Sequence, residues 1–116
     1  MCPNPNDISS PLNRAEALER VGGDESFLEE LLTIYQEEFT EKSPALAEAI
    51  ANKDAKAVRE IGHYIKGASA NLSLPGLQAA SYAIEKAGAE SRLEDAQASY
   101  QTLLAEYDRL KAFLAG

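Results

Sequence analysis

An all-α fold, an antiparallel four-helix bundle with a short additional N-terminal helix, is predicted by three features of the sequence. No stretch alternates apolar and polar residues with the period of two that a half-buried strand needs. From Asn13 onward, apolar residues instead recur at three- and four-residue steps. The segments between these periodic runs are short, which favours antiparallel neighbours. A length of 116 residues accommodates about one domain with one core.

Residues 1–11 carry three of the five prolines and no apolar period, so they read as a flexible tail or linker ahead of a domain spanning 12–116. Asn13 with Glu16 has capping-box spacing and opens a short helix that ends at Gly22-Gly23. Asp24 caps the next helix, with Phe27, Leu28, Leu31, Ile34, Tyr35 and Phe39 as its apolar stripe. Ser43-Pro44 reads as an N-cap with a first-turn proline, so a kink or restart is expected there before Leu46, Ala49 and Ile50 continue the stripe. A third helix is expected from about Ala55 to Leu72. Pro75 starts a fourth, with Leu77, Ala80, Ile84 and Ala87 on one side. Gly88 and a second capping box, Ser91 to Glu94, separate it from the last helix, whose stripe is Leu93, Ala96, Tyr100, Leu103, Tyr107, Leu110 and Leu114.

Composition narrows the function. With 11 Lys+Arg against 19 Asp+Glu the net charge is −8, which argues against nucleic acid as a partner because a phosphate backbone needs a basic face. The one cysteine, Cys2, lies in the tail, leaving no internal disulfide and no cysteine-based zinc site. No run approaches the roughly 18 apolar residues of a spanning helix, and the start lacks a basic-then-apolar signal pattern. A cytoplasmic domain without membrane insertion is expected.

One position breaks the pattern of a plain bundle. With His63 at zero on a helical wheel, Val58, Ile61, Ile65, Ala68 and Leu72 fall between about 140° and 220°, while Lys56, Arg59, Glu60, Lys66, Gly67 and Ala70 fall within about 60° of it. The single histidine of the chain therefore stands on the solvent face. Such a histidine is most often an ordinary solvated side chain. Its neighbours single this one out. Gly67 in a helix interior costs about 1 kcal/mol relative to alanine, and with Ala70 it leaves bare helix surface on which another protein can approach. Lys66, at i+3, brings an ammonium near whatever the ring carries. A neutral imidazole is a nucleophile, so the combination suits transient attachment of an anionic group.

The run from His63 to Leu72, with its His-x-x-Lys-Gly core, resembles the histidine phosphotransfer (HPt) domains of bacterial two-component phosphorelays. The resemblance extends to the Arg20–Asp24 turn before a long acidic helix and to the Pro75-x-Leu77 helix start, and covers about residues 12 to 115. It implies a four-helix bundle in which His63 accepts a phosphoryl group from a receiver-domain phospho-aspartate and passes it to the aspartate of another receiver. Lys66 would then contact the phosphoryl oxygens, Gly67 would give clearance, and Arg59, Gly67 and Ala70 would belong to the partner surface. An ungapped match places Glu85 where the family has a Gln or Glu that holds the inner ring nitrogen. The family usually has glycine after the Leu72 position, where this chain has Ser73. Gly62 precedes the histidine on the edge that faces the bundle, consistent with close helix packing.

The resemblance implies partners of two kinds, response-regulator receiver domains and a hybrid sensor histidine kinase, with the chain itself a monomer. The sequence has no phosphate-cradling glycine loop and no Walker-type lysine, so no cofactor of its own is expected and Mg2+ is expected in the receiver partner. The expected role is a phosphocarrier without autonomous ATP-dependent kinase activity. Two other readings stay open on the residues alone. One is a non-catalytic adaptor bundle that binds a signalling partner. The other is a histidine-based hydrolase, for which one lysine is a thin oxyanion site.

Overall fold

The computed structural model describes residues 10–116. Most of the proposed tail, and Cys2 with it, lies outside the described residues. Five helices follow in order: α1 (Arg14–Arg20), α2 (Glu25–Ala51), α3 (Ala55–Asn71), α4 (Pro75–Ala89) and α5 (Leu93–Ala115). Connections of three residues separate each pair from α2 to α5 and fold each helix back on its predecessor. α2 packs on α3, α3 on α4, α4 on α5, and α5 returns to α2. The expected four-helix bundle with a short leading helix is therefore the fold, and no strand occurs among the described residues.

The apolar stripes meet along the bundle axis. Leu28, Leu32, Tyr35, Phe39, Leu46 and Ile50 of α2 are buried against Val58 and Ile65 of α3, Leu77 and Ile84 of α4, and Leu103 and Leu110 of α5. Phe39 stacks on Tyr107 with ring centroids 3.8 Å apart. In the core, the Tyr35 hydroxyl lies 2.7 Å from Ser69 Oγ, which itself donates to the Ile65 carbonyl. Tyr35 is thus the donor of the pair, and its burial pushes the phenol pKa up, keeping that proton in place.

Two members of the expected α2 stripe depart from it. Phe27 and Ile34 are exposed, and Leu31 is only partly buried. They sit seven residues apart on one flank, beside the stripe of 28, 32, 35 and 39 that faces the core, and one helix face is too narrow to bury both rows.

The expected restart at Ser43-Pro44 does not occur, because α2 runs through both residues. The buried row continues in register from Phe39 through Ser43 to Leu46, so tertiary packing overrides the lost N–H of Pro44, which is exposed. Ser43 is no cap. Its hydroxyl lies 3.1 Å from the Tyr100 hydroxyl of α5.

The capping signals were partly right. Asn13 accepts from the Glu16 amide at 3.2 Å and Asp24 from the Phe27 amide at 3.0 Å. The reciprocal half of the first box is absent, because the Asn13 amide donates to the Ser73 carbonyl at 2.9 Å. The Glu16 carboxylate instead accepts from Ser73 Oγ at 2.8 Å. These bonds tie α1 to the α3–α4 turn. The second box does not form: Arg92, not Ser91, is the N-cap of α5. A three-residue connection uses Ser91 to end α4, with φ of 55° and the Arg92 amide bonded back to the Ala87 carbonyl at 2.8 Å. Lys53 and Ser73 close α2 and α3 in the same left-handed way, at φ of 56° and 58°.

α3 and α4 come together at two glycines. A Cβ on Gly62 would lie 2.8 Å from the Glu85 backbone nitrogen, and one on Gly88 would lie 2.6 Å from that of Arg59. Both contacts are with backbone, which cannot swing away. Gly62→Ala is expected to push the helices apart and destabilise the fold by about 1–3 kcal/mol, read as a lower denaturation midpoint. An unchanged midpoint would show that the crossing has slack.

Candidate functional site

His63 projects from the middle of α3 with its side chain 68% exposed. The wheel thus places it correctly, since Val58, Ile65 and Leu72 on the opposite side are buried, with Ile61 and Ala68 partly so. Helical side chains lean toward the N-terminus of their helix, so the imidazole lies over the turn that carries Arg59 and Glu60. A surface hollow of about 270 Å³ opens there, lined by Arg59, Glu60, His63 and Glu85.

Glu85 comes from α4, 22 positions along the chain, and reaches the ring because Gly62 lets its backbone in. Its Oε2 is 2.8 Å from His63 Nδ1, and its Oε1 forms an ion pair with Lys66 Nζ at 2.6 Å. The carboxylate side chain is only 20% exposed. Lys66 foremost, and the His63 contact after it, hold the Glu85 carboxyl below the usual carboxylate range against the opposing effect of burial. An ionised carboxylate accepts hydrogen bonds and donates none, so the proton of a neutral ring must sit on Nδ1. Nε2 is then left with its lone pair.

The other named positions flank this cluster. Arg59 is exposed and forms no ion pair among the described residues. Gly67 is exposed, and a Cβ there would meet nothing within 4 Å, so the packing of the chain does not require glycine. Ala70 is partly buried. Lys66 is less free than a solvent-face lysine, at 28% exposure, with its Nζ 5.4 Å from the centroid of the Tyr82 ring. Tyr82 and Tyr64 were not singled out by sequence, and both are exposed aromatics on the two sides of the α3 face. The Tyr64 hydroxyl donates to Glu38 at 2.8 Å, and Lys42 lies 4.5 Å over its ring. Tyr82 could have been found from Glu85, which it precedes by three residues on the same helix face.

Among the described residues, no three His, Cys, Asp or Glu side chains gather as a metal site, and no helix is long and apolar enough to cross a membrane. The arrangement offers an oriented imidazole, a neighbouring positive charge and open ground beside them. Glu85→Ala is expected to release the ring, so that long-range 1H–15N spectra of His63 at neutral pH show both tautomers where the parent shows the Nδ1–H form. A single unchanged tautomer in the variant would mean that Glu85 does not orient the ring.

A family model described as the Hpt domain matches residues 30–113. No curated protein and no solved structure gives a significant match. The matched stretch runs from the first turns of α2 to near the end of α5, and so contains the helix pair that carries His63, Lys66 and Glu85. The chain belongs to the Hpt domain family, the phosphocarriers that take part in histidine phosphotransfer with receiver domains in phosphorelays.

Proposed function

We propose that this chain is a phosphorelay intermediate whose His63 accepts a phosphoryl group at Nε2 from the phospho-aspartate of one receiver domain and passes it to the aspartate of another. The observation that carries this reading is the Glu85 carboxylate 2.8 Å from Nδ1 of a ring that is otherwise exposed. With the ring proton held on Nδ1, the Nε2 lone pair attacks phosphorus. The P–O bond to the donor aspartate breaks, and that oxygen leaves as carboxylate. Return transfer reverses these bonds with a second carboxylate as nucleophile. No proton needs to leave the ring, because Glu85 keeps its hydrogen bond to Nδ1–H and stabilises any positive charge that develops.

Phosphoryl transfer of this kind rests on positioning and charge stabilisation. Lys66 supplies positive charge beside the ring and keeps Glu85 ionised. Gly67, with nothing near it, leaves room for the receiver to close over His63. Mg2+ and its carboxylate pocket belong, in this reading, to the receiver, and the chain has no ATP-dependent kinase activity of its own. A hybrid sensor kinase is the proposed upstream source, and the carrier acts as a cytoplasmic monomer.

Incubation with a phosphorylated receiver is expected to leave acid-labile, base-stable phosphate on the chain and none on His63→Gln. Binding without label in either form would contradict the proposal and favour an adaptor. Gly67→Trp is expected to keep the helical spectrum and slow transfer by roughly 10- to 100-fold, through a misplaced approach. Equal transfer rates would remove the clearance role.

A further inference from the structure

Once the phosphoryl group sits on Nε2, its oxygens need a positively charged side chain to hold them. Lys66 is the cation nearest to His63 by motif, and its ammonium is anchored to Glu85 at 2.6 Å, which limits how far it can swing toward a group on Nε2. Withdrawing it would strip an ion-pair partner from a carboxylate that is only 20% exposed. Such a separation is unfavourable in a partly desolvated site.

Arg59 has no such commitment. It lies one turn before His63, at the i−4 position, where helix geometry brings two side chains together. It shares with His63 and Glu85 the hollow of about 270 Å³ over which the ring leans, and it forms no ion pair among the described residues. Its planar guanidinium can meet two phosphoryl oxygens at once, which an ammonium does only as a point charge. The remaining charge on the hollow is Glu60, drawn toward Lys56 at 3.9 Å, which opposes an anion at the same place.

We infer that the phosphoryl group on His63 is held in this hollow by Arg59, with Glu60 as an opposing charge, while Lys66 stays with Glu85 as a positioning residue. The inference rests on His63 being the phosphorylated residue, so the experiment separates the two. Phosphoramidate serves as a donor that needs no protein partner: Nε2 attacks phosphorus, the P–N bond breaks, and ammonia leaves with the electron pair. The initial rate of 31P label on the full chain is compared among the parent, Arg59→Ala, Arg59→Lys and Glu60→Gln. All of these changes are at exposed positions, so the fold is retained.

Arg59→Ala is expected to slow labelling by about three- to tenfold, as loss of a charge-assisted hydrogen bond at a solvated site. Arg59→Lys should fall between it and the parent, and Glu60→Gln should label faster than the parent. Phosphorylation of the parent should also shift the Arg59 Nε–H resonance. Parent labelling with an equal rate in Arg59→Ala, or with an unmoved Arg59 resonance, would overturn the assignment of Arg59 alone. No label on the parent His63 would overturn this inference together with the phosphocarrier reading.

Discussion

The separation between α3 and α4 is fixed by two residues without side chains, and the geometry around His63 follows from it. At Gly62 and Gly88 the backbone of one helix occupies the space that a Cβ of the other would fill. That closeness carries Glu85 onto the face of α3, where its carboxylate is mostly shielded yet within 2.8 Å of the imidazole and 2.6 Å of the ammonium. A wider crossing would leave Glu85 in solvent, where a contact between two exposed side chains is worth little. The third glycine of the region behaves oppositely. Gly67 faces open space, so its lack of a side chain serves whatever approaches from outside.

Electrostatics then acts along a chain of three groups. Lys66 lowers the pKa of Glu85, the ionised Glu85 fixes the proton on Nδ1, and the fixed proton determines which nitrogen is free. Because the carboxyl titrates below its ordinary range, the stabilisation it gives the fold is complete above that range. It fades only as pH falls through the lowered value. At neutral pH the cluster is intact. The surrounding chain is acidic, at −8 overall, so the positive charges of Arg59 and Lys66 beside His63 act against a net negative background.

Much of this was legible in the sequence, and the rest failed for identifiable reasons. The exposure of His63 followed from a wheel, since a helix with one apolar stripe has one outward face. The buried row of α4 and the row of α5 likewise followed from period alone, with Leu77, Ala80, Ile84 and Ala87 all buried. Partnership between His63 and Glu85 is a different matter. It joins two helices 22 positions apart, and no local pattern encodes it; only resemblance to a family pointed there. Ser91 was misread because a serine that ends one helix in the left-handed region looks, in sequence, like one that begins the next. Pro44 was misread because its local preference is weaker than the continuous packing of the row from Leu28 to Ile50. Phe27 and Ile34 share a period with the core but not its direction, and period does not state which flank is covered.

Ser73 illustrates a local conflict held by tertiary bonds. It adopts a left-handed φ of 58°, where glycine would sit without strain, and the family usually has glycine there. Its hydroxyl and carbonyl in return bind Glu16 and the Asn13 amide, which fastens α1 onto the turn that leads from the His63 helix to the Glu85 helix.

Identification of the phosphorylated ring nitrogen bears most directly on the claim that Glu85 occupies Nδ1 and so dedicates Nε2 to chemistry. A 15N-labelled carrier, phosphorylated by a receiver and kept at alkaline pH, would reveal the site through 31P–15N coupling in the His63 ring. Coupling to Nε2 alone is the expected result. Coupling to Nδ1 would contradict it, because that nitrogen could not then carry the proton given to Glu85.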